Sequence, residues 1–112
     1  MAIVLKPLKQ VRITETDAVG IYTPGANEEA VFSVRVANTS ASGCTLILYQ
    51  DIDGSTWNDA TTILPQITIP AYQVFTSGGE MPYIMNSNAG SFAAKAGTED
   101  ALTITISGFI RT

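Results

Sequence analysis

Phe32, Val34 and Val36 alternate along the chain with Val31, Ser33 and Arg35, and Leu102, Ile104 and Ile106 alternate with Thr103, Thr105 and Ser107. Side chains on a strand point in turn to opposite faces, so each run predicts a strand with one apolar face and one mixed or polar face. An apolar sheet face is covered by a second sheet. The expected fold is therefore all-β: a single small antiparallel β-sandwich, jelly-roll-like or Ig-like. Phe32, Val34, Leu46, Leu48, Leu102, Ile104 and Ile106 are expected to line the core between the sheets.

The rest of the chain repeats the theme, with short apolar or β-branched runs cut by Gly, Asn, Asp and Pro. Residues 30–38 and 44–50 are predicted strands on either side of a polar link, and the pair is expected to form a hairpin. The second is apolar on both faces, with Leu46 and Leu48 on one and Ile47 and Tyr49 on the other. Its outer side calls for cover from a loop or a neighbouring subunit. Residues 62–69 form a strand with Ile63, Ile67 and Ile69 on one face, and Pro65 and Pro70 put it at an edge or bend it. Further strands are expected over 71–76, 83–85, 91–94 and 101–110, the last interrupted at Gly108. Turns fall at 23–27, with Gly25 taking the positive φ, at 77–80 and at 86–90, and residues 95–100 form a loop. No helix of convincing length and no internal repeat is visible.

Residues 1–12 are set apart from a sandwich domain over 13–112. Pro7 has no backbone N–H to give to a ladder, so this segment is read as an N-terminal arm or an edge strand, with a short extended piece over 11–14. As an arm laid on a neighbour, it would bury Ile3, Val4, Leu5 and Leu8 and set Lys6, Lys9 and Arg12 at the rim. As an edge strand it would pair within its own sheet.

Composition narrows the function. A chain of 112 residues is one domain. At 46% hydrophobic and 14% charged it is too apolar for disorder, and its low charge suits a surface partly covered by another chain. The net charge is −4 with six basic residues, too few for a phosphate-tracking patch, so nucleic acid is not an expected partner. No apolar run is long enough to cross a bilayer as a helix, so no membrane is expected. The apolar start precedes its Lys, the reverse of a secretory signal, and synthesis in the cytoplasm is expected.

Candidate chemistry is sparse. The chain has no histidine, which removes the His-based nucleophile arrangements and most zinc sites, and no enzyme activity and no cofactor are expected. The single cysteine, Cys44, reads as a small buried filler. Asp51, Asp53 and Gly54 match the opening of a calcium loop, but Ser55 stands at its fifth position and Thr62 where the bidentate Glu belongs. An incomplete ligand set predicts no tight ion, and the competing reading is a turn whose Asp side chains bond nearby N–H groups. Trp57, with Tyr49 and these acids, suggests a sugar-stacking platform; the competing reading is a ring capping the sandwich with its N–H bonded to a loop carbonyl. Glu28 with Glu29, and Glu99 with Asp100, are neighbours in sequence and read as solvated charges, not as acids facing across a cleft.

Taken in order, several pieces resemble a group of small tailed-phage virion proteins. They are Ile21-Tyr22-Thr23-Pro24 with Gly25, the 30–38 run followed by Thr39-Ser40, and Tyr83-Ile84-Met85. Then come Ala89-Gly90-Ser91, Ala93-Ala94, and a terminal strand carrying Ser107-Gly108. The likeness spans roughly residues 20–110, and the 51–61 loop departs from it by its length. The resemblance implies a β-sandwich that serves assembly: a capsid decoration or cement subunit, or else a tail or neck component. It implies a homo-oligomer, a trimer favoured, that meets the major capsid protein or other virion proteins, in a virion assembled in the host cytoplasm. The expected interface residues are Ile3, Val4, Leu5, Lys6, Leu8 and Lys9 with Ile47, Tyr49 and Trp57. A carbohydrate-binding module built on Trp57 is the alternative from another class.

Overall fold

The computed structural model describes residues 3–86 and 90–112, with the backbone alone at Ile3, Val4 and Lys6; most of the turn expected at 86–90 lies outside the described residues. The strands are β1 (Ile3–Arg12), β2 (Val19–Tyr22), β3 (Glu29–Asn38), β4 (Cys44–Asp51), β5 (Thr62–Ile69), β6 (Val74–Ser77), β7 (Tyr83–Asn86), β8 (Ser91–Ala96) and β9 (Leu102–Arg111). They form two antiparallel sheets, so the chain is an all-β sandwich. One runs β1-β9-β3, with β6 and β7 both on the far side of β3; the other runs β2-β8-β4-β5.

The alternation read from the sequence sets the core. Phe32, Val34, Leu46, Leu48, Leu102, Ile104 and Ile106 are each at most 1% exposed. Phe32 packs edge-on against Tyr22 and Phe92, with ring centroids 5.6 and 5.3 Å apart, and Tyr83 closes the cluster at 5.7 Å from Phe32 and 5.2 Å from Phe92. Edge-to-face rings add to the burial of their area. Cys44 is free and buried.

β6 and β7 pair end to end along one edge of β3, β6 against Val34 to Ala37 and β7 against Glu29 to Phe32. The chain between them turns through Gly78 at φ 88°, and a Cβ there would lie 3.1 Å from the Ser33 Cα. Only glycine takes that dihedral and approach without strain. Ser77 Oγ and Tyr83 OH, 2.6 Å apart, tie the two strands.

The strand expected over 71–76 begins only at Val74, after a turn in which Gln73 N donates to the Pro70 carbonyl and Tyr72 takes φ 58°. Four other local expectations change. First, β3 and β4 are not a hairpin, since they lie in different sheets. The link between them crosses the sandwich, held by Asn38. Its buried amide donates to the carbonyls of Ser42 (2.9 Å), Ile69 (2.9 Å) and Pro70 (3.2 Å), and its Oδ1 accepts from Ser40 N and Oγ. Second, Ile63 does not share a face with Ile67 and Ile69. Leu46 pairs with Ile67 and Leu48 with Leu64, so β5 carries one extra residue at Pro65–Gln66. A bulge reverses the facing of what precedes it. Leu64 therefore packs on the core and Ile63 is 38% exposed. β5 does lie at a sheet edge. Third, Asn27 (φ 64°), not Gly25, takes the left-handed position in the turn after β2. Asn tolerates that region, and the turn sits lower, between Gly25 and Glu28. Fourth, β9 is continuous through Gly108, which pairs with Phe32 and with Lys6. A Cβ at Gly108 would press on the Val31 carbonyl and lie 2.7 Å from the Phe32 Cα, so the gap in the pattern marks close strand approach.

β1 is one strand from Ile3 to Arg12; of the piece expected separately over 11–14 it includes Val11 and Arg12, and Ile13 and Thr14 lie beyond its end. It pairs with β9 from Ile3↔Arg111 to Arg12↔Thr103, with an irregularity between Pro7 and Lys9. The ladder shifts where proline has no N–H to offer.

Candidate interaction surface

The inward residues of β3 leave Val31, Ser33 and Arg35 on the outer face of the first sheet. Register aligns Leu5 with Phe109, Phe109 with Val31, and Val31 with Ile84. Four strands thus contribute one apolar row across that face. Leu5 is 80% exposed, Ile84 57% and Phe109 38%, while Val31 is half-buried. Scattered exposed apolar residues are ordinary; a contiguous row marks a surface that another molecule covers. Ile52, also exposed, lines the same shallow depression as Ile84, whose carbonyl accepts a 2.8 Å hydrogen bond from Gln50 Nε2.

The row has polar borders. On one side Arg111 pairs across strands with Glu29, with Nη2 2.6 Å and Nε 3.1 Å from Oε1. On the other side stand Pro7, Ser107 and Ser33. Depressions lined by Glu29, Val31, Ile84, Phe109 and Arg111, and by Leu5, Val31, Ser33, Gly79, Pro82 and Phe109, flank the row.

The interface residues expected from the sequence scatter around the molecule. Leu5 is in the row, Lys9 is exposed, and Leu8 is half-buried against the core. The side chains of Ile3, Val4 and Lys6 lie outside the described residues. Ile47, Tyr49 and Trp57 lie on the other sheet: Ile47 and Trp57 are half-buried and Tyr49 is 6% exposed. Val31, Ile84 and Phe109 were not among the expected residues. Their signal is a lone apolar residue in an otherwise polar strand face, which acquires meaning only when register lines the strands up.

The 51–61 loop folds back on the second sheet. Trp57 Nε1 donates to Ser91 Oγ (2.9 Å), and Ser91 Oγ donates to the Gly54 carbonyl (2.8 Å). The indole ring lies on Gly20, where a Cβ would sit 3.0 Å from Cη2. Gly20 pairs with Ala93 and Ala93 with Tyr49, so the ring caps one end of the row that β4 was expected to need covered. That leaves the indole a packed cover, with its N–H engaged, and not a free stacking platform.

The Asp51 carboxylate is likewise engaged. It accepts from Thr56 N (2.9 Å) and Asp53 N (3.2 Å), and these bonds, that from Thr56 first, hold its pKa below the ordinary carboxylate value. Burial and then the Glu28 charge push the Tyr22 phenol the other way, upward. Among the described residues, no three His, Cys, Asp or Glu side chains group so as to hold a metal ion.

No protein-family model matches the chain, and no curated protein matches it. Two solved structures align with nearly all of it. The infectious bursal disease virus VP2 subviral particle does so at 10% identity and TM-score 0.35, over 97% of this chain and 31% of that one. The infectious bursal disease virus Gt strain does so at 13% identity and TM-score 0.30, over 96% of this chain and 31% of that one. The chain spans about a third of the length of these proteins. Likeness at this level carries no argument about function; the sandwich rests on the chain's own strand pairing.

Proposed function

We propose that this protein is a non-enzymatic structural subunit of a tailed-phage virion, a decoration or cement protein that stabilises the head by protein–protein contacts with the major capsid protein. The exposed Leu5–Phe109–Val31–Ile84 row supports the reading: it is a surface for assembly with protein subunits, further copies of this chain among them, and not for chemistry. The motif order over roughly residues 20–110 supplies the virion context. A long-lived shell component also suits a compact two-sheet body with 46% hydrophobic residues and few charges.

The test is reconstitution. Particles assembled without this protein are mixed with the purified chain and heated, and the temperature of genome release is recorded. A cement subunit binds the particles and raises that temperature. Failure to bind the shell refutes the cement role, and binding confined to the tail or neck places the subunit there instead.

A further inference from the structure

The apolar row is self-complementary. Its order across the sheet is Leu5, Phe109, Val31, Ile84. In the neighbouring row Arg111 follows Phe109 on β9 and Glu29 precedes Val31 on β3, at paired positions. Consider a twofold axis in the plane of contact, parallel to the strands and midway between β9 and β3. It lays the β9 column of one copy on the β3 column of the other and leaves position along the strand unchanged. Phe109 then meets the partner's Val31, and Leu5 meets the partner's Ile84. The same operation sets Arg111 over the partner's Glu29, and Glu29 over the partner's Arg111. An isologous interface requires this kind of match, in which one patch is its own complement.

We infer that this sheet face is where two copies of the chain pair, as a face-to-face dimer built on the Leu5–Phe109–Val31–Ile84 row and closed by reciprocal Glu29–Arg111 contacts. Charge position selects the axis. A twofold axis along the row would set Arg111 and Glu29 over the Ser107 and Ser33 side and leave them without opposite charges. A threefold ring of copies needs two different complementary patches, whereas this row matches itself. Glu29 and Arg111 are each 46% exposed in side chain, so they remain at the rim, where charges set register more than affinity.

The size is adequate. β1, β3 and β9 are 10 residues each. At about 3.3 Å per residue and about 4.8 Å between strands, a face four strands wide measures about 33 by 19 Å. That is a flat footprint of about 600 Å², near the ~800 Å² that each partner of a standard interface buries once side-chain relief is counted. The inference rests on the register of this sheet and holds whatever particle the protein serves.

Sedimentation velocity on the purified full chain gives the test, with cooperative thermal unfolding as the check on every variant. The wild type is expected as a dimer, and Phe109→Glu as a monomer at the same concentration. Arg111→Glu and Glu29→Arg are each expected to weaken the dimer at least tenfold, because each sets like charges over one another. An equimolar mixture of these two variants is expected to recover a dimer of mixed composition, identified by its mass. If either single variant fails to fold, the double variant Glu29→Arg/Arg111→Glu keeps both the internal and the cross-copy pairs and is expected to dimerise like wild type. A monomeric or trimeric wild type overturns the inference. So do a Phe109→Glu variant that still dimerises and, with both single variants folded, a mixture that stays dissociated.

Discussion

Asn38 engages both ends of its buried amide where the chain leaves one sheet for the other. Asn38→Ala leaves the Ile69 carbonyl and its neighbours short of a donor, and an unpaired buried polar group costs about 1–3 kcal/mol. The expected outcome is a lower urea midpoint with an unchanged slope; an unchanged midpoint would show that water replaces the amide. Phe32, at the centre of the aromatic cluster, is a larger loss. Phe32→Ala is expected to cost about 3–5 kcal/mol through lost burial and the cavity left behind. Asp51 gives a pH signature instead. Its pKa is lowered in the folded chain by the Thr56 and Asp53 N–H groups. A depressed folded pKa contributes stability above the unfolded value, about 3.9, and that contribution is lost as pH falls through the lower folded value. Asp51→Asn is therefore expected to melt below wild type at neutral pH. The gap should close as pH drops below about 4. A gap that stays constant over that descent would mean that the charge plays no part.

At the scale of elements, β1 decides between an arm and an edge strand. Its pairing with β9 along the whole of β9, and the packing of Leu8 and Val11 on the core, make it part of the subunit's own sheet. Deleting residues 1–9 strips one edge of β9 and is expected to abolish cooperative unfolding or lower the melting temperature sharply. A truncated chain with near-native melting would restore the free-arm reading. In β5, the bulge at Pro65–Gln66 makes a second contrast: Ile63→Ser is expected to be nearly neutral and Ile67→Ser clearly destabilising. These elements also mark how far the sequence could be read. Period-two alternation is local, so β3, β4 and β9 and their buried residues were legible residue by residue. The crossing from β3 to β4 was not, because a short polar link serves a hairpin or a crossover equally well. The choice is made by Asn38 bonding to residues some thirty positions away. The interaction row was illegible for the same reason: its members come from four strands and meet only through register.

At the scale of the whole molecule, a two-sheet body with few charges buries a core between its sheets and carries an apolar row across its outer face. Asp51 and Trp57, the groups that most resembled ligand-binding chemistry, are spent on folding the 51–61 loop onto the second sheet. The row is a surface, and surfaces act through partners. The proposed virion role stands or falls on where the protein is found. Virions assembled by the genome that encodes this chain are purified through a density gradient, and the chain is quantified against the major shell protein by mass spectrometry. The account predicts that it stays with the particles at a fixed ratio corresponding to many copies per head. Its absence from the particle fraction, with the protein recovered free, would contradict the account.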